Sequence, residues 1–255
     1  MGKRLQLSLL IMILFLGQAF PADAKSKKRT CDYIEKPELR INIHLTIPEA
    51  TYDYSRTSEE MTDERFESTV KWLQKQGIKS IGMARHLGQF IKIKGLTSGG
   101  YQVNMTGMGH ARRVDRYGVY YCPFLTDLNI EFFYATKIFI AKEIPRDSCE
   151  FEETMKHEWK HHTANVMAIK TYSDRLKKDL PTIVREIEER QGYVDASQIQ
   201  NAYKQIEHSV NDMINIYYET IWKDQRKRNS LIDTPEEYQR VERVIQECEK
   251  RRKAK

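Results

Sequence analysis

The stretch KIFIAKEIPRDSCEFEETMKHEWKHH, Lys137 to His162, changes character at its centre, and that change decides the fold class. Up to Ile144 it is rich in β-branched and aromatic residues and reads as a strand. Pro145 interrupts it. Asp147 or Ser148 can then cap a helix running from about Cys149 to Lys178, with Glu150 placed to favour the helix dipole.

Upstream of this boundary, strand patterns dominate. LRINIHLTI puts Leu39, Ile41, Ile43, Leu45 and Ile47 on one face and Arg40, Asn42, His44 and Thr46 on the other, a half-buried strand. SEEMTDERFESTVKWLQKQG reads as an amphipathic helix with Phe66, Val70 and Leu73 inward and Gly77 as its stop. Further strands are expected at KSIGMARH, YQVNMTGM, GVYYC, LNIEFFY and KIFIAKEI, with the intervening Gly-, Ser- and Asp-rich segments as turns. Downstream, LPTIVREIEERQG reads as a separate short helix, with Pro181 in its first turn and Gly192 as terminator. A long helix follows, with Ile199, Tyr203, Ile206, Val210, Met213 and Tyr217 on one stripe. The last helix has Thr234 as cap, Pro235 at its first position and Glu237 completing a capping box. Strands first and helices after make the class α+β. Residues 25–145 form the strand-rich part and 146–255 the helical part of one domain.

Residues 1–24 read as a signal peptide. Lys3 and Arg4 precede the apolar run LQLSLLIMILFLGQAF, and ADA (Ala22 to Ala24) supplies a small-x-small cleavage site. The expectation is an exported chain, periplasmic or extracellular, with no membrane anchor once the signal is removed. Loss of Lys3, Arg4 and Asp23 takes the formal charge from +6 to +5, with both signs interspersed. Nucleic-acid binding calls for a concentrated basic element, which the sequence lacks outside its terminal tails. Four cysteines in an exported chain suggest two disulfides, and no CxxC pair is present. Of the three connectivities, Cys31 with Cys122 and Cys149 with Cys248 keeps each bridge inside one half.

HEWKH, His157 to His161, carries the chemistry. Residues four apart share a helix face, so His157 and His161 can direct ring nitrogens at one metal ion. Glu158 is rotated about a quarter-turn away, placed to serve as general base toward an attacking water rather than as a ligand. Thr154, Ala164 and Ala168 line the same face. The plainer account of KHEWKHH is a solvated charged helix. His162 and His208 read as surface histidines and Trp159 as a packing residue.

With LIDTPEEY and Cys248 far downstream, this stretch resembles uncharacterised bacterial exported proteins expected to be zinc-dependent proteases of the zincin type. The resemblance spans roughly residues 137–248. It implies a zinc site with Glu158 as base, carried by His157, Glu158 and His161. The glycine and third histidine of the metzincin extension are absent. For the third ligand, Glu219, Asp224, His208 and Asp233 are the candidates. Asp233 is preferred, because it precedes the Thr234 cap where the related families keep an acidic residue. The expectation is a zinc metallopeptidase acting on peptide or protein substrates, with Lys137 to Ile144 offering its strand edge beside the site. The alternative is a non-catalytic envelope protein whose helices form a docking surface.

Overall fold

The computed structural model describes residues 30–75 and 93–254. The expected signal peptide, the expected strand at KSIGMARH and the Gly77 helix stop lie outside the described residues, as do the side chains of Val70 and Leu73. The elements are β1 (Arg40–Thr46), β2 (Thr51–Asp53), α1 (Ser58–Lys75), β3 (Gly95–Arg113), β4 (Tyr120–Ile140), α2 (Cys149–Gln191), β5 (Val194–Asp195), α3 (Ile199–Ile232) and α4 (Pro235–Lys253). The arrangement is α+β, strand-rich first and helical after.

β4 is the axis of the sheet. One edge pairs with antiparallel β3 along almost its whole length. The other edge is filled in sequence by β5, then β1, then β2, the last two parallel to β4. Pro48 separates β1 from β2, a proline that an edge row tolerates because it lacks an N–H to give.

Two expectations about the sheet are corrected. GVYYC, LNIEFFY and KIFIAKEI are one strand of 21 residues up to Ile140, not three. A bulge absorbs the irregular middle: Met108 faces Asp127 while Gly109 faces Leu125, leaving Thr126 without a partner. GLTSGG, read as a turn, opens β3. Its glycines serve close approach, since a Cβ on Gly99 would run into the Tyr134 ring and one on Gly95 would stand 2.7 Å from Glu158 Oε1.

Beyond the bulge β4 alternates. Leu128, Ile130, Phe132 and Tyr134 are buried, whereas Asn129, Glu131 and Phe133 are exposed. The buried face packs beneath α2 and α3. Leu176, Leu180, Val184 and Ile187 of α2 meet Ile206, Val210 and Ile214 of α3 over Leu128, Ile130 and Phe132. Each such side chain contributes about 1.5–3 kcal/mol by leaving water.

This packing explains a third correction. α2 runs unbroken for 43 residues through Pro181, where sequence suggested two helices. Pro181 is exposed, and Lys177, whose carbonyl loses its helical donor, is exposed too. Leu176 and Leu180 before it and Val184 and Ile187 after it share one buried face, and their burial outweighs the local cost. The helix starts at Ser148, whose hydroxyl accepts from the Phe151 N–H at 3.0 Å, and stops at Gly192 with φ 66°.

The disulfides join Cys31 to Cys122 and Cys149 to Cys248, with Cα separations of 5.9 and 6.0 Å, the pairing within halves. No helix among the described residues is long and apolar enough to cross a membrane.

One buried charge lies in the main core. Glu188, 1% exposed, accepts from the Leu125 N–H at 2.6 Å beside the bulge and from Arg185 Nη1 at 2.7 Å. Glu188→Ala leaves the buried Leu125 N–H without its acceptor and Arg185 with only the Pro37 carbonyl, so it should cost about 3–5 kcal/mol. Urea denaturation measures this, and a loss below 1 kcal/mol would show that water replaces the carboxylate.

Candidate metal centre

Two helices and a turn build the site. His157 and His161 stand on α2 one turn apart, each 7% exposed. Asp233 follows the last residue of α3 and precedes the Thr234 cap of α4. The cap is local and strong: Thr234 Oγ1 accepts from the Glu237 N–H at 3.2 Å, and Pro235 supplies the first helical residue.

The three side chains converge on one point. Asp233 Oδ1 lies 3.2 Å from His157 Nε2 and 3.0 Å from His161 Nε2, and the two Nε2 atoms are 3.2 Å apart. A tetrahedral ion with bonds near 2.0 Å sets its ligand atoms about 3.3 Å apart. The triangle therefore has the dimensions of one face of such a coordination sphere. Among the described residues these three form the group of His, Cys, Asp and Glu that can hold a metal ion.

The electrostatics follow from three acceptor-capable atoms sharing one buried spot. Burial alone would raise the Asp233 carboxyl, but hydrogen bonds from His157 and His161 outweigh it and hold that group far below the usual carboxylate range. Burial would likewise lower His161, and the hydrogen bond and charge of Asp233 reverse the sign and raise it. A cation is what this arrangement favours, whether a proton or a metal.

Buried amides orient His161. Its Nδ1 stands 3.0 Å from Asn229 Oδ1, Asn229 Nδ2 donates to Asn165 Oδ1 at 3.0 Å, and Gln225 Nε2 donates to the Asn165 carbonyl at 3.2 Å. With Nδ1 donating to Asn229, Nε2 faces the site, where it donates to Asp233 when protonated and offers its lone pair to an ion once that proton is released. His157 is held differently. Its Nδ1 is buried without a hydrogen-bond partner, and Glu237 Oε1 is 3.8 Å away.

Glu158 is 4% exposed and lies outside the ligand triangle. Its Oε2 accepts from Thr97 Oγ1 at 2.8 Å, and Gly95 leaves room for Oε1. Burial pushes this carboxyl above the ordinary glutamate range, against the Thr97 hydrogen bond and the nearby histidines. At the rim, Arg65 Nη2 of α1 is 3.9 Å from Asp233 Oδ2, and the Tyr238 hydroxyl of α4 donates to Asp233 Oδ1 at 3.0 Å.

The structure thus brings together His157, His161 and Asp233 with Glu158 beside them, and leaves the other third-ligand candidates outside. Glu219 is exposed, Asp224 accepts from Arg228 at 2.8 Å, and His208 is exposed beside Asp212. His162 pairs with Thr136 and Trp159 packs edge-on against His162. Thr154 and Ala168 are buried on the histidine side, but Ala164 lines an outer groove with Trp159, Met167 and Leu231. The strand beside the site is corrected: at Lys137 to Phe139, β4 is paired on both edges, and it is β3, through Gly95 and Thr97, that touches Glu158. Asn165, Asn229, Gln225 and Tyr238 were missed by sequence reasoning. Polar residues on the inward side of two amphipathic helices were the available signal.

No family model, curated protein or solved structure matches the chain, so the site is interpreted from its own geometry.

Proposed function

We propose that the protein is an exported zinc metallopeptidase. One observation carries this: two imidazoles and a carboxylate converge with the spacing of a tetrahedral site, and a fourth buried carboxylate, Glu158, stands beside them without joining them. Two nitrogens and one oxygen are the donor set of hydrolytic zinc, which keeps its fourth position open. Zinc supplies Lewis acidity there, activating water and polarising a carbonyl.

The protein's own groups do the rest. Glu158 takes the proton of the attacking water, and its raised pKa suits it to return that proton to the leaving amine. Thr97 fixes the orientation of that carboxylate. Among the described residues no strand occupies the outer edge of β3, and Gly95 to Gly100 there can align an extended peptide beside Glu158. The two disulfides are compatible with an oxidising compartment and hence with export.

Metal analysis tests the reading. The purified protein should carry about one zinc per chain, and His157→Ala, His161→Ala and Asp233→Ala should each release it, since two protein ligands rarely hold zinc. Equal metal content in all four proteins would end the proposal. A protein that holds zinc yet cleaves nothing in a broad peptide library would turn attention to the docking alternative, for which the groove of Trp159, Met167 and Leu231 is the apolar surface at hand.

A further inference from the structure

The two oxygens of Asp233 keep different company. Oδ1 is the one on which His157, His161 and the Tyr238 hydroxyl converge, at 3.2, 3.0 and 3.0 Å. Oδ2 faces the guanidinium of Arg65, with Nη2 3.9 Å away. One carboxylate is thus divided between the buried ligand triangle and a cation at the rim.

Arg65 comes from the strand-rich half of the chain, and its placement there is well determined. α1 opens with a capping box, in which the Thr57 N–H donates to Glu60 Oε2 at 2.6 Å and the Glu60 N–H donates to Thr57 Oγ1 at 3.1 Å. Met61 is fully buried and fixes the first turn against Ile138 and Ile140 at the end of β4. Thr62 Oγ1 accepts from the Ile93 N–H at 3.0 Å, just before β3 begins. Residues four apart share a helix face, so Arg65 follows Met61 one turn on and reaches the Asp233 turn from the side of the sheet.

A carboxylate can give a metal ion one oxygen or two. With two, Asp233 would itself fill the fourth position that a hydrolytic site keeps open. Turning Oδ2 inward would carry it away from the guanidinium, which stays charged at any pH that the fold survives. Both binding modes use the same side chain and differ by a small rotation, so a modest attraction at the rim can choose between them. We propose that Arg65 is a positioning residue that holds Oδ2 outward and keeps Asp233 a one-oxygen ligand. The inference rests on the metallopeptidase reading.

Arg65→Ala and Arg65→Lys test it. The side chain is 54% exposed, so neither variant disturbs the core. Cobalt serves as the probe beside zinc, because its visible absorption distinguishes four ligands from five. For Arg65→Ala the expected result is weaker cobalt absorption, the signature of an added ligand. Zinc affinity by chelator competition should equal wild type or rise by up to about tenfold, since an oxygen ligand is gained. Turnover of fluorescein-labelled casein should fall by about 10–100-fold in kcat with KM within about twofold. At this separation the contact is one of charge rather than a bidentate fork, so Arg65→Lys should return the wild-type spectrum and turnover within about threefold. An unchanged cobalt spectrum in Arg65→Ala would overturn the inference and leave the metallopeptidase reading standing. A loss of zinc affinity of about tenfold with the four-ligand spectrum intact would overturn it too, making Arg65 a brace for the turn alone. A wild-type protein that takes up no zinc would overturn the metallopeptidase reading itself.

Discussion

Glu158→Gln should retain zinc and lose hydrolysis by about 10²–10⁴-fold, the span that a positioned base supplies. The substitution is nearly isosteric and removes no member of the ligand triangle. Its amide can still accept from Thr97, so the contact between α2 and β3 survives. Burial already disfavours charge at this position, so losing the carboxylate costs the fold little. What disappears is the proton acceptor. Metal content and casein turnover, measured on the same preparation, separate the two properties. Undiminished turnover in a zinc-loaded variant would remove Glu158 from the chemistry, and zinc loss would mean that the carboxylate supports the ligands.

Breaking either disulfide is expected to cost about 4–5 kcal/mol in the chain-entropy picture, because the bridges span 91 and 99 residues. The two should differ in where the loss is felt. Cys31 and Cys122 are both buried with Phe124 at the start of β4, so their replacement by serine loosens that end of the sheet. Cys149–Cys248 ties the start of α2 to α4, a helix with no buried residue. The other ties of α4 are polar or rim contacts, including Lys160–Glu237, Arg240–Glu153, Arg252–Glu152 and the Tyr238 hydroxyl on Asp233. Replacing Cys149 and Cys248 should therefore free α4 before the sheet melts, giving a two-step denaturation curve. Peptide mapping without reductant checks the connectivity, and recovery of a Cys31–Cys149 or Cys122–Cys248 peptide would refute it. A loss of stability below about 1 kcal/mol would show that the unfolded chain is already compact.

Local signals carried much of this fold. The alternation of LRINIHLTI appears as the alternating exposure of β1. Ser148 and Thr234 cap helices through their hydroxyls, and Gly192 ends one through the positive φ that its missing side chain permits. The histidine pair was legible because four-residue spacing is a property of a single helix. Asp233 was legible only through the resemblance, since the 72 residues from His161 to Asp233 span two helices and their turn. What failed depended on tertiary context. Pro181 read as the first turn of a separate helix, and GVYYC and LNIEFFY as separate strands, yet burial of Leu180 and Val184 carried α2 onward and a bulge accommodated β4. The glycines of GLTSGG read as a turn because nothing in one strand announces that Tyr134 and Glu158 will press against it. Asn165 and Asn229 look like ordinary polar positions until α2 and α3 are laid together.

The central place of β4 also bears on how the chain reaches this state. β1 emerges from synthesis first, but its partner residues on β4 follow 87 positions later. Until then its apolar face, Ile41, Ile43 and Leu45, and both backbone edges have nothing native to bind. The β3–β4 hairpin has no such delay, because its turn at Asp115 to Gly118 is closed locally by Asp115 accepting from the Val119 and Tyr120 N–H groups. Non-local pairing of this kind slows folding and leaves edges exposed to other chains in the interval. The pairing of β1 therefore waits for a β4 made much later, whereas the β3–β4 hairpin can close as soon as its own turn and second strand exist.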